Sequence, residues 1–251
     1  MGLVDSGGGP VVEVDLFEQP VADAPDPADR AGAADEFVEC VHGLWQGGWS
    51  MDFGPPGSAP NPEEAVLLFL KSWSLPTSNY TLAGRDENRV LYTHLVEGIP
   101  KIAVIVADST QVELDADAGW VVETFAACDP AEYDPSTDDE IPMDIWLDAD
   151  NQRVPTSIIT SRQGPEHCNW ESVTFLTFDD RQYIRDPRGV LARVGFTAYD
   201  ENAELPETAT NTGYHREGRQ LWMSADRTTA YVVDNDRVEA WGTTDEPIGC
   251  A

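Results

Sequence analysis

Basic residues are scarce in this sequence, and lysine is almost absent. Of its 251 residues, 15 are Lys or Arg and 46 are Asp or Glu, which gives a formal net charge of −31 at pH 7. The only lysines are Lys71 and Lys101. A surface of this sign repels phosphate backbones and anionic bilayers. The composition therefore argues against nucleic acid as a partner and leaves open an unidentified protein or envelope partner, including a cationic one.

Long hydrophobic runs are also missing. No stretch approaches the roughly 18 consecutive apolar residues that indicate a transmembrane helix. The first 20 residues lack a basic segment followed by an apolar core, so this chain shows no signal peptide. We expect no membrane-spanning segment. The sequence does not indicate an oligomeric state.

Motifs that indicate catalysis or metal binding are absent too. There is no CxxC, GxSxG, HExxH or phosphate-binding glycine loop, so we predict no catalytic residue, no metal and no cofactor. The histidines show no ligand spacing (His42, His94, His167, His215). Carboxylates are so common that no pair is informative, and a carboxylate-dependent hydrolase with a site between two lobes stays open as an alternative.

The patterns that are present predict an α+β fold, mainly antiparallel, in two lobes. Asn61 followed by Pro62 and two acidic residues is a typical helix start, and apolar residues at helical spacing extend the helix over about 62–73. Runs rich in β-branched and aromatic residues predict strands at 89–98, 101–108 and 119–128. Their short connections leave no room for crossover helices, so we expect antiparallel pairing with the helix packed on the sheet.

Changes in composition divide the chain into four segments. Residues 1–36 hold nine acids and one base, and we expect a disordered acidic tail or linker there. Residues 37–133 form an N-terminal α+β lobe, 134–142 a connector, and 143–251 a β-rich C-terminal lobe. Within the tail, VVEVDLF at 11–17 alternates well enough to join the sheet as an edge strand.

Four cysteines, Cys40, Cys128, Cys168 and Cys250, allow three disulfide pairings. Cys40 to Cys128 and Cys168 to Cys250 is the favoured pairing, since each bridge then joins the start of one lobe to its end. On this interpretation GPEHCNW at 164–170 is a disulfide anchor covered by Trp170. The alternatives are a reactive thiol beside His167, or four free thiols in an acidic cytosolic protein of a salt-adapted organism.

One basic segment stands out in the C-terminal half. Arg181, Tyr183, Arg185 and Arg188 lie close together, and the first three share a face if the segment is a strand. In so acidic a chain we expect these arginines to form ion pairs, locally or between the lobes. A single anion-binding patch is the alternative.

Three aromatic residues, Trp45, Trp49 and Phe53, lie in a stretch rich in glycine and proline. Tryptophan is enriched at binding hot spots, so an exposed cluster would be a recognition surface for a protein or glycan. Burial at one end of the sheet is the favoured interpretation.

Three stretches, 119–134 (GWVVETFAACDPAEYD), 161–176 (SRQGPEHCNWESVTFL) and 182–187 (QYIRDP), resemble a group of uncharacterised exported proteins or lipoproteins from high-GC, actinobacterial Gram-positive bacteria. The resemblance covers about 60–250 and implies an extracytoplasmic location, secreted or tethered to the surface, but no catalytic residue. Together with the cysteines it leads us to expect a non-enzymatic, disulfide-stabilised binding or structural module of the bacterial envelope. The hydrolase and the cytosolic protein are the alternatives, the latter implying a cytoplasmic location.

Overall fold

The computed structural model describes residues 12–17, 26, 30–49, 58–111, 119–244 and 248. Its chain divides into two compact units, Met1–Ile141 and Pro142–Ala251. Three sheets form from mainly antiparallel strands with few helices, which confirms the predicted α+β class. Among the described residues, no helix has both the length and the apolar character needed to span a bilayer.

The described part of the first unit forms a six-stranded sheet. Its strands are β1 (Val12–Glu13), β2 (Leu44–Trp49), β3 (Tyr80–Arg85), β4 (Arg89–Val96), β5 (Ile99–Asp108) and β6 (Trp120–Cys128). They lie in the order β1-β3-β4-β5-β6-β2. All neighbours are antiparallel except β1 and β3, which are parallel. The three predicted strands are confirmed as β4, β5 and β6, and the predicted edge strand is confirmed as β1.

The predicted helix is confirmed as α1 (Pro62–Ser72). The Asn61 side chain caps the helix by accepting a hydrogen bond from the backbone N–H of Glu64, and its side-chain amide donates a second one to the Glu64 carboxylate. The buried face of α1 meets the sheet at Phe69, whose ring lies 4.9 Å from that of Phe125 in an edge-to-face arrangement.

A disulfide and a buried ion pair hold one corner of this sheet. Cys40 is bonded to Cys128, across a sequence separation of 88 residues. The buried Lys101 ammonium donates to the Glu39 carbonyl at 2.5 Å and to the Glu132 carboxylate at 2.7 Å. Glu132 also accepts from the two backbone N–H groups that follow Cys40. Burial alone would raise the pKa of Glu132, but these hydrogen bonds outweigh it and lower that pKa.

Part of the expected tail is packed against the sheet. A 3₁₀ helix at Gly32–Phe37 lies against the sheet, and its neighbours include Leu91 and Ile105. Small side chains allow this close approach, which composition does not reveal because alanine adds little apolar area to a sequence average. These residues therefore differ from the disordered tail that we expected. The buried ones among them are Leu16, Ala31, Gly32, Ala33 and Ala34.

The segment expected to connect the lobes is attached to the first unit as far as Ile141. It forms a 3₁₀ helix at Pro135–Glu140. The Glu140 carboxylate accepts from both the backbone N–H and the hydroxyl of Thr77, each at 2.7 Å. Three further 3₁₀ helices lie at Pro130–Glu132, Glu166–Cys168 and Val190–Val194.

The second unit contains two packed sheets. One has the order β10-β9-β8-β7 and the other β11-β15-β14-β13-β12. The strands are β7 (Asp144–Ile145), β8 (Ile159–Gln163), β9 (Thr174–Phe178), β10 (Arg181–Arg185), β11 (Tyr199–Asp200), β12 (Thr210–Arg216), β13 (Arg219–Met223), β14 (Thr229–Asp234) and β15 (Arg237–Gly242). Single bridges, Leu147 to His215 and Tyr183 to Thr243, join the two sheets on either side.

Alternation along the strands places the core of the second unit between its two sheets. Every second residue of β13, β14 and β15 faces inward. The inward positions form rows across the strands: Met223, Ala230 and Trp241 make one row, followed by Leu221, Val232 and Glu239. The first row and two members of the second are core residues, which meet Ile159, Leu176 and Tyr183 of the opposite sheet.

The GPEHCNW stretch forms a tight turn in this unit. A Cβ on Gly164 would lie 2.5 Å from the Trp170 carbonyl oxygen, so no larger residue fits there. Trp170 is buried beside Phe175, with Cys168 packed against the same cluster. Cys168 is disulfide-bonded, which agrees with an anchor and not with a reactive thiol. Cys250 lies outside the described residues, and its pairing with Cys168 stays a prediction.

Replacing both Cys40 and Cys128 with serine should lower the free energy of unfolding by about 4 kcal/mol, because a closed loop of this length restricts the unfolded chain. Urea denaturation of the double variant beside wild type measures the difference. Val41→Ser, at an exposed neighbour of Cys40, is the control and should stay within about 0.5 kcal/mol of wild type. Equal loss in both variants would contradict a role for the bridge.

Candidate functional site

A row of charged residues lies at one end of the five-stranded sheet in the second unit. It continues the inward rows described above, so that Arg219 of β13, Asp234 of β14 and Arg237 of β15 are register partners. The apolar core thus ends in a positive, a negative and a positive side chain, side by side. Arg219 is half-buried, whereas Asp234 and Arg237 are exposed.

Behind this row, an ion pair connects the two sheets. The guanidinium of Arg185 on β10 donates to both carboxylate oxygens of Glu239 on β15, at 2.7 and 3.1 Å. The indole N–H of Trp241 donates to the same carboxylate at 3.0 Å. Only 12% of the Glu239 side chain is exposed. A planar guanidinium fits a carboxylate in this two-bond geometry, so each side chain fixes the position of the other.

The charged row and the ion pair together line a groove of about 330 Å³. Its floor is made by buried Val232 and Glu239 with half-buried Arg185, and its rim is more exposed. Glu217, in the turn between β12 and β13, completes the rim. The lining residues are Arg185, Glu217, Arg219, Val232, Asp234, Arg237 and Glu239, and these seven residues define the groove below.

The charges in the floor are stable at neutral pH. The hydrogen bonds to Glu239 raise the pKa of Arg185. Burial would raise the pKa of Glu239, but the Arg185 guanidinium and the Trp241 N–H outweigh it and lower that pKa. Burial and then the charge of Glu239 raise the pKa of nearby Tyr199 to about 12. All three groups therefore keep one protonation state across the physiological range.

A second set of ion pairs extends the rim towards β7. Glu217 joins two arginines, since its carboxylate lies 2.8 Å from Arg216 and 2.8 Å from Arg219. Arg216 also reaches Asp144 at 2.9 Å. Asp144 in turn accepts from the hydroxyl of Ser161 at 2.6 Å. The rim is thus held from both sheets of this unit.

Of the four residues in the predicted basic patch, only Arg185 lines the groove. Arg181 and Tyr183 both donate to the backbone carbonyl of Arg227, at 3.1 and 2.9 Å, so they do share the face of β10 that the alternation indicates. Tyr183 is a buried core residue, while Arg188 is exposed. Arg185 therefore forms an ion pair with Glu239 of the same unit. The four residues do not come together as one anion-binding patch.

Sequence reasoning missed the rest of the groove. Arg219 and Arg237 each begin a short strand, and Asp234 ends one. The segments REGRQLWM and DNDRVEAW contain a sequence signal for these positions. Their charged residues alternate in phase with the apolar residues of the same strands, which indicates a shared face. The sequence does not give the register of strand pairing, and it is this register that places the strand ends next to each other.

The aromatic cluster lies only partly within the described residues. Trp45 is half-buried on β2, and Trp49 ends that strand. The side chain of Trp49 and the whole of Phe53 lie outside what the structure describes. Burial of these residues at one end of the sheet, with a recognition surface as the alternative, stays a prediction.

The histidines do not form a shared site in the described part of the chain. His94 is fully buried, and its Nδ1 lies 2.8 Å from the Ser78 carbonyl, so Nδ1 is the protonated nitrogen. Burial lowers the pKa of His94, while His42 and His167 are exposed. Among the described residues, no group of three or more His, Cys, Asp or Glu side chains is placed to hold a metal ion.

No protein-family model, curated protein or solved structure matches this chain. The resemblance to exported actinobacterial proteins therefore stays a proposal.

Replacing Glu239 with glutamine should destabilise the protein by about 3 kcal/mol, because it leaves the Arg185 guanidinium short of its partner. Urea denaturation at pH 7 measures this loss. Glu201→Gln is the matched control, since the Glu201 side chain is 57% exposed and reaches Arg237 only at 3.5 Å. It should cost less than about 1 kcal/mol.

The same pair predicts a pH dependence. The pKa of Glu239 is lowered on folding, so its contribution is present above the ordinary value of 4.5 and is lost as pH falls through the lowered value. Wild type should lose stability in acid more steeply than Glu239→Gln. Identical slopes for the two proteins below pH 4.5 would contradict the assignment.

Proposed function

We propose that this protein is a non-enzymatic binding module that works outside the cytoplasm, and that the groove takes a small ligand. The observation that supports this best is the row of fixed charges above a buried floor. Ligand pockets in proteins commonly measure about 300–1,000 Å³ and combine an apolar surface with a few polar groups. At about 330 Å³, the groove lies at the small end of this range.

The electrostatics of the floor favour binding over hydrolysis. A carboxylate hydrolase uses a general acid whose pKa is raised towards neutrality. In the groove, the buried carboxylate of Glu239 has a lowered pKa and is engaged on both oxygens by Arg185. Such a group holds charge in place well and transfers protons poorly. It suits recognition of polar groups on a ligand.

The cysteines support a location outside the cytoplasm. Disulfides form and persist in oxidising compartments and are rare in the cytosol of mesophiles. Cys40 is bonded to Cys128, and Cys168 is also disulfide-bonded. These bonds do not agree with four free thiols in a cytosolic protein. The resemblance to exported or surface-tethered actinobacterial proteins points the same way, and an envelope component is the partner that we propose.

Ligand binding can be tested by thermal shift with a panel of small neutral sugars, carboxylates, amines and amino acids. At least one class should raise the melting temperature of wild type. The Arg219→Gln/Arg237→Gln double variant should lose that shift, because it removes both cations of the rim. Arg188→Gln, an exposed arginine outside the groove, is the control and should keep it. The proposal is refuted if no compound raises the melting temperature of wild type more than that of the double variant.

The location can be tested through the thiols of protein purified from its natural source. After free thiols are alkylated and the protein is digested without reduction, mass spectrometry should find peptides linked between Cys40 and Cys128 and between Cys168 and Cys250. Separate fractionation of cells should place the protein in the envelope or medium. Alkylated Cys40 and Cys128 in a cytosolic fraction would overturn the extracytoplasmic assignment.

A further inference from the structure

The sign of charge alternates along the rim of the groove. Arg219, Asp234 and Arg237 are consecutive register partners on three antiparallel strands. Such partners have Cα atoms about 4.5–5.5 Å apart, so the row spans the width of a small molecule. Asp234 therefore lies between two arginines in the register, in a row whose width one small ligand can cover.

These three side chains retain capacity for further hydrogen bonds. A guanidinium has five N–H donors. The contacts of Arg219 in the described structure involve one carboxylate, Glu217, at 2.8 Å. Those of Arg237 are long, at 3.4–3.5 Å. In the part of the chain that the structure describes, the side-chain carboxylate of Asp234 accepts only from the side-chain amide of Asn235, at 2.9 Å.

The charges of the groove also balance. Its lining contains three arginines and three carboxylates. A simple anion would approach Asp234 and Glu217 as well as the arginines, and a simple cation would approach both arginines of the rim. In each case like charges would meet in the groove. A ligand with both signs of charge avoids this, because each of its ends has an opposite partner.

We infer that the groove binds a small zwitterion of the α-amino acid class, with the ligand ammonium on Asp234 and its carboxylate on Arg219 and Arg237. This rests on the proposed function, since it names the ligand class for the same groove. Arg185 and Glu239 satisfy each other in the floor and act as positioning residues. Val232, the apolar residue of the floor, suits a small aliphatic side chain. A free amino acid and the charged ends of a short peptide share this chemistry.

Four alanine derivatives separate the two ends of the ligand. Alanine has both charges, N-acetylalanine has only the carboxylate, alaninamide has only the ammonium, and alanylalanine has both charges further apart. Isothermal titration of each into wild-type protein should show alanine or alanylalanine binding about tenfold or more tightly than both blocked compounds, because a charge-assisted hydrogen bond is lost with each block. The stronger of the two zwitterions identifies a free amino acid or a peptide as the source.

Two variants locate the ends of the ligand. Asp234→Asn keeps the shape of the side chain but removes its charge, so it should weaken the zwitterion about tenfold and leave N-acetylalanine no weaker than before. Arg237→Gln should weaken both. Asp236→Asn changes an exposed carboxylate on the same turn, outside the groove lining, and should bind like wild type. Equal melting temperatures for the variants show that each is folded.

The outcomes distinguish the ligand class from the existence of a binding groove. If N-acetylalanine binds as tightly as alanine and Asp234→Asn has no effect, the zwitterion is refuted while the groove stands as an anion site. If none of the four compounds binds but another class in the thermal-shift panel does so through Arg219 and Arg237, the zwitterion is again refuted and the binding module stands. If nothing in either experiment depends on these arginines, both proposals fail.

Discussion

The ion pair between Arg185 and Glu239 is the interaction on which the groove depends. It connects β10 of one sheet to β15 of the other, and the indole of Trp241 holds the same carboxylate from within the core. Placing two charged side chains at the end of an apolar interior carries a desolvation cost, which the two parallel hydrogen bonds offset. With the floor neutralised in this way, the next row of charges can face solvent above it. The groove is therefore a consequence of how the core ends.

Each unit combines a disulfide-bonded cysteine and an ion pair with an apolar core. In the first, the Cys40–Cys128 bridge and the buried Lys101–Glu132 pair hold the start of β2 against the end of β6. In the second, single bridges at His215 and Thr243 join two sheets around one core. Neither arrangement requires a basic surface. Three of the few cations in this acidic chain, Arg89, Lys101 and Arg185, form ion pairs that are largely shielded from solvent, whereas the ion pairs of Arg227 and Arg237 are exposed.

The sequence alone predicted local structure, and it predicted which residues share one face of β10. Asn61 and Pro62 define the start of α1, and the shared face of Arg181 and Tyr183 follows from alternation alone. The pairing of Arg185 with Glu239 was beyond it, because these residues are separated by 54 positions and no local pattern fixes the register of short strands. The packed segment around Ala33 was missed for a different reason, since its order comes from contacts with the sheet and not from its own composition.

The scarcity of lysine has a practical consequence for experiments that use amine chemistry. Lys101 is buried and engaged on its ammonium by Glu39 and Glu132, whereas Lys71 is exposed near the end of α1. Of the two lysines, an amine-reactive dye, crosslinker or surface would therefore couple at Lys71, with Lys101 protected in the folded state. The groove contains no lysine, so immobilised or labelled protein would keep its lining residues chemically intact. Crosslinks formed in this way would report neighbours of the first unit.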